Sequence, residues 1–363
     1  MRYTAPPPRP TIADPNLWRP VSWESNRRPE NLLWLDRGEC IDPEMMRLVR
    51  AISSDLPMHA YFAYPTPGPL YRKLADRLGV PPDRLLLTRG TDGAIKTVFE
   101  TFVAPGDTVV VTRPTYQMYG VYAQVYGARL KFADYQLVDG APYMAPGAMG
   151  AVIRAARPKV VALPFPDNPV GYAFADDELR DVIEAAGEVG ALMLIDEAYH
   201  PFHDGTALPW IETYGHLVVA RTFSKAWGMA GIRLGYTVAA AAVTASMHKV
   251  KPMVEADGVA MELAARILDH EAEMLASVAR LKVGRKWFAG EMNGLGFHAI
   301  DTPCNFVHVD FGAKRAHIEA ALKNVACYRV FPDGLLDRYL RFTTTTRELF
   351  RPVVEAVKRA HNA

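Results

Sequence analysis

From Arg84 onward the chain alternates short apolar runs with segments of helical periodicity. The runs are LLLT (85–88), DTVVVT (107–112), ARLKFA (128–133), KVVALPF (159–165), ALMLID (191–196), LVVART (217–222) and GYTVAA (235–240). Most are apolar at successive rather than alternate positions, as strands buried on both faces must be. Between them lie helical segments. One begins near Asp92, and ADDELRDVIEAAGEVG carries its acids near its start, where the helix dipole favours them. This alternation predicts an α/β fold with a mostly parallel central sheet covered by helices on both faces.

The texture differs on either side of that region. Residues 1–30 contain seven prolines and predict an extended arm, because proline removes donors and disfavours regular ladders. Pro43–Ile52 predicts a short helix, and Leu70–Leu78 an amphipathic one after the turn-rich AYPTPGP. Beyond about residue 250, a long helical stretch (Val254–Phe288) leads to FVHVDF, YRVF and YLRFTTT as strands, then to a helix ending near Ala360. That is the pattern of a smaller α+β unit. The expected organisation is an arm with part of the small domain over residues 1–45, a large domain over 46–250 and a small domain over 251–363.

Composition excludes several classes of protein. Of 363 residues, 50% are hydrophobic and 22% charged, which is ordinary globular usage rather than that of a disordered or collagen-like chain. The 41 basic and 40 acidic residues nearly cancel, whereas nucleic-acid and anionic-membrane binders usually carry a basic excess. The three cysteines, Cys40, Cys304 and Cys327, have no metal or redox spacing and fit a reducing cytoplasm. No signal-peptide core and no stretch of about eighteen apolar residues occurs.

Ligands of open α/β sheets bind beyond the carboxyl ends of the strands, so polar clusters at those ends are the candidate chemistry. ALMLIDEAYHPF ends a buried strand in Asp196, Glu197 and Tyr199. RTFSKAWGMAGIRLGY places Lys225 beside Ser224, three glycines and Arg233; alone the lysine would be a solvated side chain, but this context suits an amine of lowered pKa that attacks a carbonyl. In TRGTDGAIK, Gly90, Thr91 and Asp92 sit where a strand enters a helix, a place where amide groups receive phosphate. PFPDNPVG brackets Asn168 in a rigid turn, and RPTYQMYG offers Tyr116 as an aromatic plate. Each of these also has an ordinary reading, as a turn former or as core packing. His200 and His203 are read as loop residues, not metal ligands.

Taken in order, DNPVG, DEAYHPF and SKAWGMAGIRLGY resemble the fold-type I pyridoxal-phosphate (PLP) enzymes of the class I/II aminotransferases, most nearly the histidinol-phosphate aminotransferase branch. PTYQMY, PCNF (303–306) and LRFTTTTRE are similar to that branch too, and the resemblance spans roughly residues 50–350. It implies that Lys225 binds PLP covalently and then carries the proton between substrate Cα and cofactor C4′, while Asp196 pairs with the pyridine nitrogen. By the same resemblance Asn168 and Tyr199 hydrogen-bond the cofactor O3′, and Tyr116 stacks on the ring. Thr91, Asp92, Thr222, Ser224 and Arg233 hold its phosphate. Tyr64, in AYP, would reach the phosphate in the neighbouring subunit, which implies a homodimer with shared sites. Arg341, in YLRF, would clamp the substrate α-carboxylate as a bidentate fork, and Arg329 a distal phosphate.

Two departures from the branch stand out. Its Asn-Asn-Pro-Thr-Gly turn reads Asp167-Asn168-Pro169-Val170-Gly171, and its Asn-Glu-Asn-Pro segment on the substrate side reads LDRGEC (35–40). The first retains the residue expected on O3′; the second leaves the donor open among histidinol phosphate, an aromatic or other amino acid, and a specialised substrate. The implied reaction moves an amino group to 2-oxoglutarate or another 2-oxo acid. A decarboxylase of the same fold is the alternative, since the same electron sink serves both reactions. A non-enzymatic PLP-binding regulator lacks any helix-turn-helix module to support it.

Overall fold

A computed structural model describes residues 6–17 and 28–362. Much of the expected N-terminal arm, residues 1–5 and 18–27, thus lies outside the described residues. The seven apolar runs form one sheet: β1 (Leu85–Thr88), β2 (Thr108–Arg113), β3 (Arg129–Asp134), β4 (Val160–Pro164), β5 (Leu192–Asp196), β6 (Leu217–Thr222) and β7 (Gly235–Ala239). Their order across the sheet is β1-β7-β6-β5-β4-β2-β3. All neighbours run parallel except around β7, which is antiparallel to both β1 and β6.

Successive side chains of a strand feed opposite faces, and each face has its own core. Leu217 and Val219 join one apolar cluster, while Val218 and Ala220 join the other. The helix Gly90–Phe102 covers the second face with Ala94, Ile95, Val98 and Phe99, a stripe at helical spacing. The helix Asp176–Glu188 covers the first with Leu179, Val182, Ile183 and Ala186.

The stretch 254–288 is broken rather than continuous. The Asp257 carboxylate accepts from Ala260 N at 2.8 Å and starts a helix, Gly258–Ile267, which a 3-10 turn separates from a second helix, Glu271–Gly294. The first of these packs its Met261, Leu263, Ala264 and Ile267 into a core of the large sheet, so that core takes in residues well past 250. The second bridges two cores, with Met274, Val278 and Leu281 on the large sheet and Phe288, Ala289 and Met292 on the smaller one.

The smaller sheet comprises β8 (His298–Asp301), β9 (Phe306–Asp310), β10 (Arg329–Val330) and β11 (Tyr339–Thr343), in the order β8-β9-β11-β10 and antiparallel throughout. The last helix, Arg347–Asn362, closes its back with Phe350, Val353, Val354 and Val357. A short strand from the other end of the chain, Leu33–Trp34, pairs in parallel with Ala326–Cys327. No helix among the described residues is long and apolar enough to cross a membrane.

Candidate active site

The carboxyl ends of β1, β2, β4, β5 and β6 open on one edge of the large sheet. Because β7 runs the other way, its beginning lies on that same edge: Gly235 is in register with both Thr88 and Thr222, the last residues of its neighbours. Arg233, two residues ahead of Gly235, is therefore brought to the strand ends by the one antiparallel strand. Several of the sequence-predicted residues, from separate segments, come together there, while Tyr64 and Arg329 are exposed.

At one side is a cradle of hydroxyl and cationic groups. Thr222 Oγ1 donates to Ser224 Oγ at 2.9 Å, and Arg233 Nη1 donates to the same serine at 3.3 Å. A Cβ added to Gly90 would lie 3.4 Å from Arg233 Nη2 and 3.5 Å from Thr222 Oγ1. The helix that starts at Gly90 aims its free N–H groups and the positive end of its dipole into this space. Arg233 is exposed, and Thr91 and Asp92 are partly open; the Tyr122 hydroxyl donates to Asp92 at 3.2 Å. Such a cradle has the donor set for a phosphate ester.

Beside it, at the end of β5, Asp196 is buried with 4% of its surface exposed. It accepts from Ala198 N at 3.1 Å and from the Thr91 hydroxyl, and it has no salt bridge among the described residues. Burial raises its pKa to about 7, against the hydrogen bonds that lower it, with the Asp92 charge adding to the rise. A buried carboxyl lacking a cation is suited to pair with a protonated ring nitrogen. Tyr116 is half-buried and meets Tyr119 edge-on at 6.3 Å.

Lys225 follows β6 and reaches the centre of the cleft, where Nζ donates to the Arg37 carbonyl at 3.0 Å and lies 5.7 Å from the Tyr199 ring. Its pKa falls to about 8, chiefly by burial, then by the positive Arg341 and Arg233; Glu39 and Asp196 pull the other way. Gly38 has φ +68°, and a Cβ there would come within 3.1 Å of Lys225 Nζ, so the chain passes over the lysine where a side chain would crowd it.

The opposite side of the cleft is formed where the two sheets meet. Arg341, on β11 and buried, donates from Nη1 to Asn168 Oδ1 at 2.9 Å and from Nη2 to the Asp36 carbonyl at 3.1 Å. Its Nε has no partner, and its guanidinium carbon sits 4.9 Å from the Phe306 ring and 5.8 Å from that of Phe331. A buried cation with a spare N–H between aromatic rings is built to receive an anion. Arg329 pairs in register with Arg341 but is exposed. Tyr64 is 90% exposed, and Phe62 and Met58, close to it in the chain, are exposed as well.

Several residues near the site escaped the sequence reading. Asp167 is fully buried; Thr112 Oγ1 (2.7 Å) and the Tyr135 hydroxyl (2.8 Å) both donate to its Oδ2, and burial pushes its pKa up to about 7. His308 on β9 donates from Nε2 to the Pro169 carbonyl at 2.8 Å and so ties the smaller sheet to the Asn168 turn. Burial holds its pKa down at about 3, which keeps a positive charge away from Arg341. Asn305 donates to the Gly38 carbonyl at 2.9 Å. Asp167 was visible only as a departure in a turn, and nothing in the local pattern around His308 marks a cleft. No cluster of His, Cys, Asp and Glu that could hold a metal ion occurs among the described residues.

Comparison with known proteins agrees with this geometry. The sequence family "Aminotransferase class I and II" matches residues 30–357. A histidinol-phosphate aminotransferase of Symbiobacterium thermophilum is 32% identical over 296 residues, covering 80% of each chain. Among solved structures, histidinol-phosphate aminotransferase from Sinorhizobium meliloti in complex with pyridoxal-5'-phosphate superposes with a TM-score of 0.79 at 21% identity, covering 97% of this chain and 99% of that one. Aspartate aminotransferase from Thermus thermophilus with maleate gives 0.73 at 20% identity, covering 91% of each chain. This chain thus shares its fold with both.

Proposed function

The chain belongs to the class I and II aminotransferase family, and from that premise we propose that it is a PLP-dependent enzyme moving an amino group from an amino acid or a histidinol-phosphate-like amine to a 2-oxo acid. The observation that carries this reading is a half-buried lysine of lowered pKa, Lys225, in one cleft with the buried Asp196 carboxyl, which has no ion pair among the described residues, and the buried Arg341 guanidinium. The residues present fit the cofactor: the cradle of Thr222, Ser224, Arg233 and the helix starting at Gly90 would take its phosphate, Asp196 its ring nitrogen, and Asn168 and Tyr199 its phenolic oxygen. When bound, PLP supplies an electron sink that stabilises negative charge at the donor's Cα.

The chain's own residues do the rest. Lys225 has an amine whose pKa is lowered to about 8, so its neutral form, which attacks a carbonyl and later accepts and returns a proton at Cα, is far more populated near neutral pH than in an ordinary lysine. Arg341 orients the donor by its carboxylate, held at the right tilt by Asn168 and the Asp36 carbonyl. Burial raises the Tyr199 hydroxyl well above its ordinary pKa, so it stays a hydrogen-bond donor.

We read the enzyme as a homodimer with shared sites. The exposed run Met58, Tyr61, Phe62 and Tyr64, with Met253 near it in exposure, supports this, since large apolar side chains of that number seldom face water without a partner. Three free cysteines, two of them buried, support a reducing cytoplasm. The test mixes holoenzyme singly with histidinol phosphate, aromatic amino acids and glutamate and follows the visible cofactor band. Loss of the band with release of the matching carbonyl product identifies the donor. Bound cofactor with no conversion by any donor, or release of carbon dioxide instead, refutes transamination for that panel.

A further inference from the structure

The segment 35–40, which departs from the family pattern, forms a strap over the cleft. Gly38 N donates to Thr343 Oγ1 at 2.8 Å, Thr343 N donates to the Leu35 carbonyl at 2.7 Å, and Asn305 donates to the Gly38 carbonyl. Two carbonyls of the strap meet the two central cations: Arg37 O takes Lys225, and Asp36 O takes Arg341. The strap also carries two acids, Asp36 and Glu39, and Arg28 binds both. Arg28 Nη1 donates to Asp36 Oδ1 at 2.7 Å and to Glu39 Oε2 at 2.9 Å, while Nη2 donates to Glu39 Oε1 at 2.7 Å. Its guanidinium lies 4.2 Å from the centre of the Trp34 ring, and the three side chains retain only 15% (Arg28), 18% (Asp36) and 26% (Glu39) of their exposure.

We propose that Arg28 is a positioning residue of the active site, which fixes the strap so that its carbonyls hold Lys225 and Arg341 in place and which cancels the charge of Glu39 beside Lys225 and of Asp36 beside Arg341. The inference rests on the reading of Lys225 and Arg341 as the cations that handle the donor. A forked guanidinium is the group for this task, because it can satisfy two carboxylates at once where an ammonium cannot. Half-buried, charge-assisted bonds of this kind outlast the screening that weakens exposed pairs. Arg37 adds only a looser contact, 3.3 Å to Asp36 from a largely exposed side chain.

The charged and titratable groups facing Lys225 are Glu39 from the strap, Asp196 and Tyr199 from the end of β5 and the loop after it, Arg233 ahead of β7, and Arg341 from β11. Of these, Glu39 is the one that Arg28 neutralises. Arg28→Gln leaves its negative charge uncompensated and so raises the pKa of Lys225; Glu39→Gln leaves Arg28 in excess and so lowers it. A merely structural role for Arg28 would not give opposite signs.

The experiment reads Lys225 in cofactor-free protein, by trace acetylation from about pH 6 to about pH 11 with mass spectrometry of the lysine-bearing peptide. The expected wild-type midpoint is about 8. Arg28→Gln moves it up by about half a unit or more, Glu39→Gln moves it down, and Arg28→Lys keeps it near wild type. In holoenzyme, Arg28→Lys raises the donor's KM several-fold with kcat within about twofold, because one ammonium cannot hold both acids. Midpoints that do not move, or that move the same way in the Gln variants, overturn the proposal. If Arg28→Gln fails to fold, Glu39→Gln decides alone: a fall supports the proposal, and no change or a rise overturns it. A holoenzyme that turns over no donor refutes transamination while leaving these midpoints readable.

Discussion

Replacing Arg341 with lysine tests the substrate side of the cleft directly. The guanidinium spends two N–H groups on Asn168 and the Asp36 carbonyl, and its Nε–H is left without a partner in a buried setting. Lysine keeps the charge but loses the fork, so a donor carboxylate must compete with Asn168 and Asp36 for one ammonium. A hydrogen bond to a charged group contributes about 1.5–3 kcal/mol, and the loss of one corresponds to about 10- to 150-fold. The expected result is a fall of that size in kcat/KM for glutamate, mostly through KM, in protein that still shows the bound-cofactor band. A donor amine with no anionic substituent on Cα loses much less. The measurement is single-turnover conversion of that band with each donor in turn. An unchanged rate with glutamate, or equal losses with both donors in a folded variant, refutes the assignment of Arg341 to the carboxylate.

Three further outcomes are expected. Gly235→Ala places a Cβ 2.5 Å from the Arg221 carbonyl oxygen and 2.8 Å from Gly90 Cα, both backbone atoms; the variant loses about 1–3 kcal/mol in denaturant unfolding and binds phosphate esters more weakly, and normal stability and binding would contradict the close packing of β7 on the cradle. The buried Asp167 carboxyl, raised to about 7, keeps its proton in the folded chain after the unfolded chain has lost it, so its contribution is present at low pH and is lost as pH rises from about 4 towards 7. Asp167→Asn should therefore flatten the fall in melting temperature of cofactor-free protein across that window; an unchanged slope refutes the reading. For shared sites, Lys225→Ala and Tyr64→Ala are each inactive or impaired, and unfolding and refolding them together restores activity at roughly a quarter of the sites, one per hybrid dimer. No restoration argues against Tyr64 acting across the interface.

How far the sequence discloses this arrangement depends on the element. LVVART is a strand over Leu217–Thr222, its full sequence-predicted length, because a strand buried on both faces must be apolar throughout. The direction of β7 is not written in its residues: GYTVA is a short buried run like the parallel strands of the sheet, and only its antiparallel pairing with β1 and β6 fixes its sense. HAID (298–301) was not read as a strand, since four residues with two exposed ends leave almost no pattern. The motif order pointed to the cleft, yet the bond between Asn168 and Arg341 joins positions 173 apart and has no local signature. The strap was visible only as an unfamiliar LDRGEC; its tie to Arg28 depends on side chains meeting across a fold in the chain.

The pairing of Leu33–Trp34 with Ala326–Cys327 bears on the order of assembly. All strands of the large sheet, with the phosphate cradle between Thr88 and Gly235, have been synthesised once Ala239 has emerged from the ribosome. The strap must wait, because Gly38 bonds to Thr343, 305 positions later. Closing so long a loop is slow, and nothing local rewards it earlier. The nascent molecule therefore presents a cradle open to solvent on its strap side through the synthesis of about the last hundred residues. The contact that covers Lys225 in the finished chain can therefore form only after Thr343 has been made, long after the strands that carry the cradle.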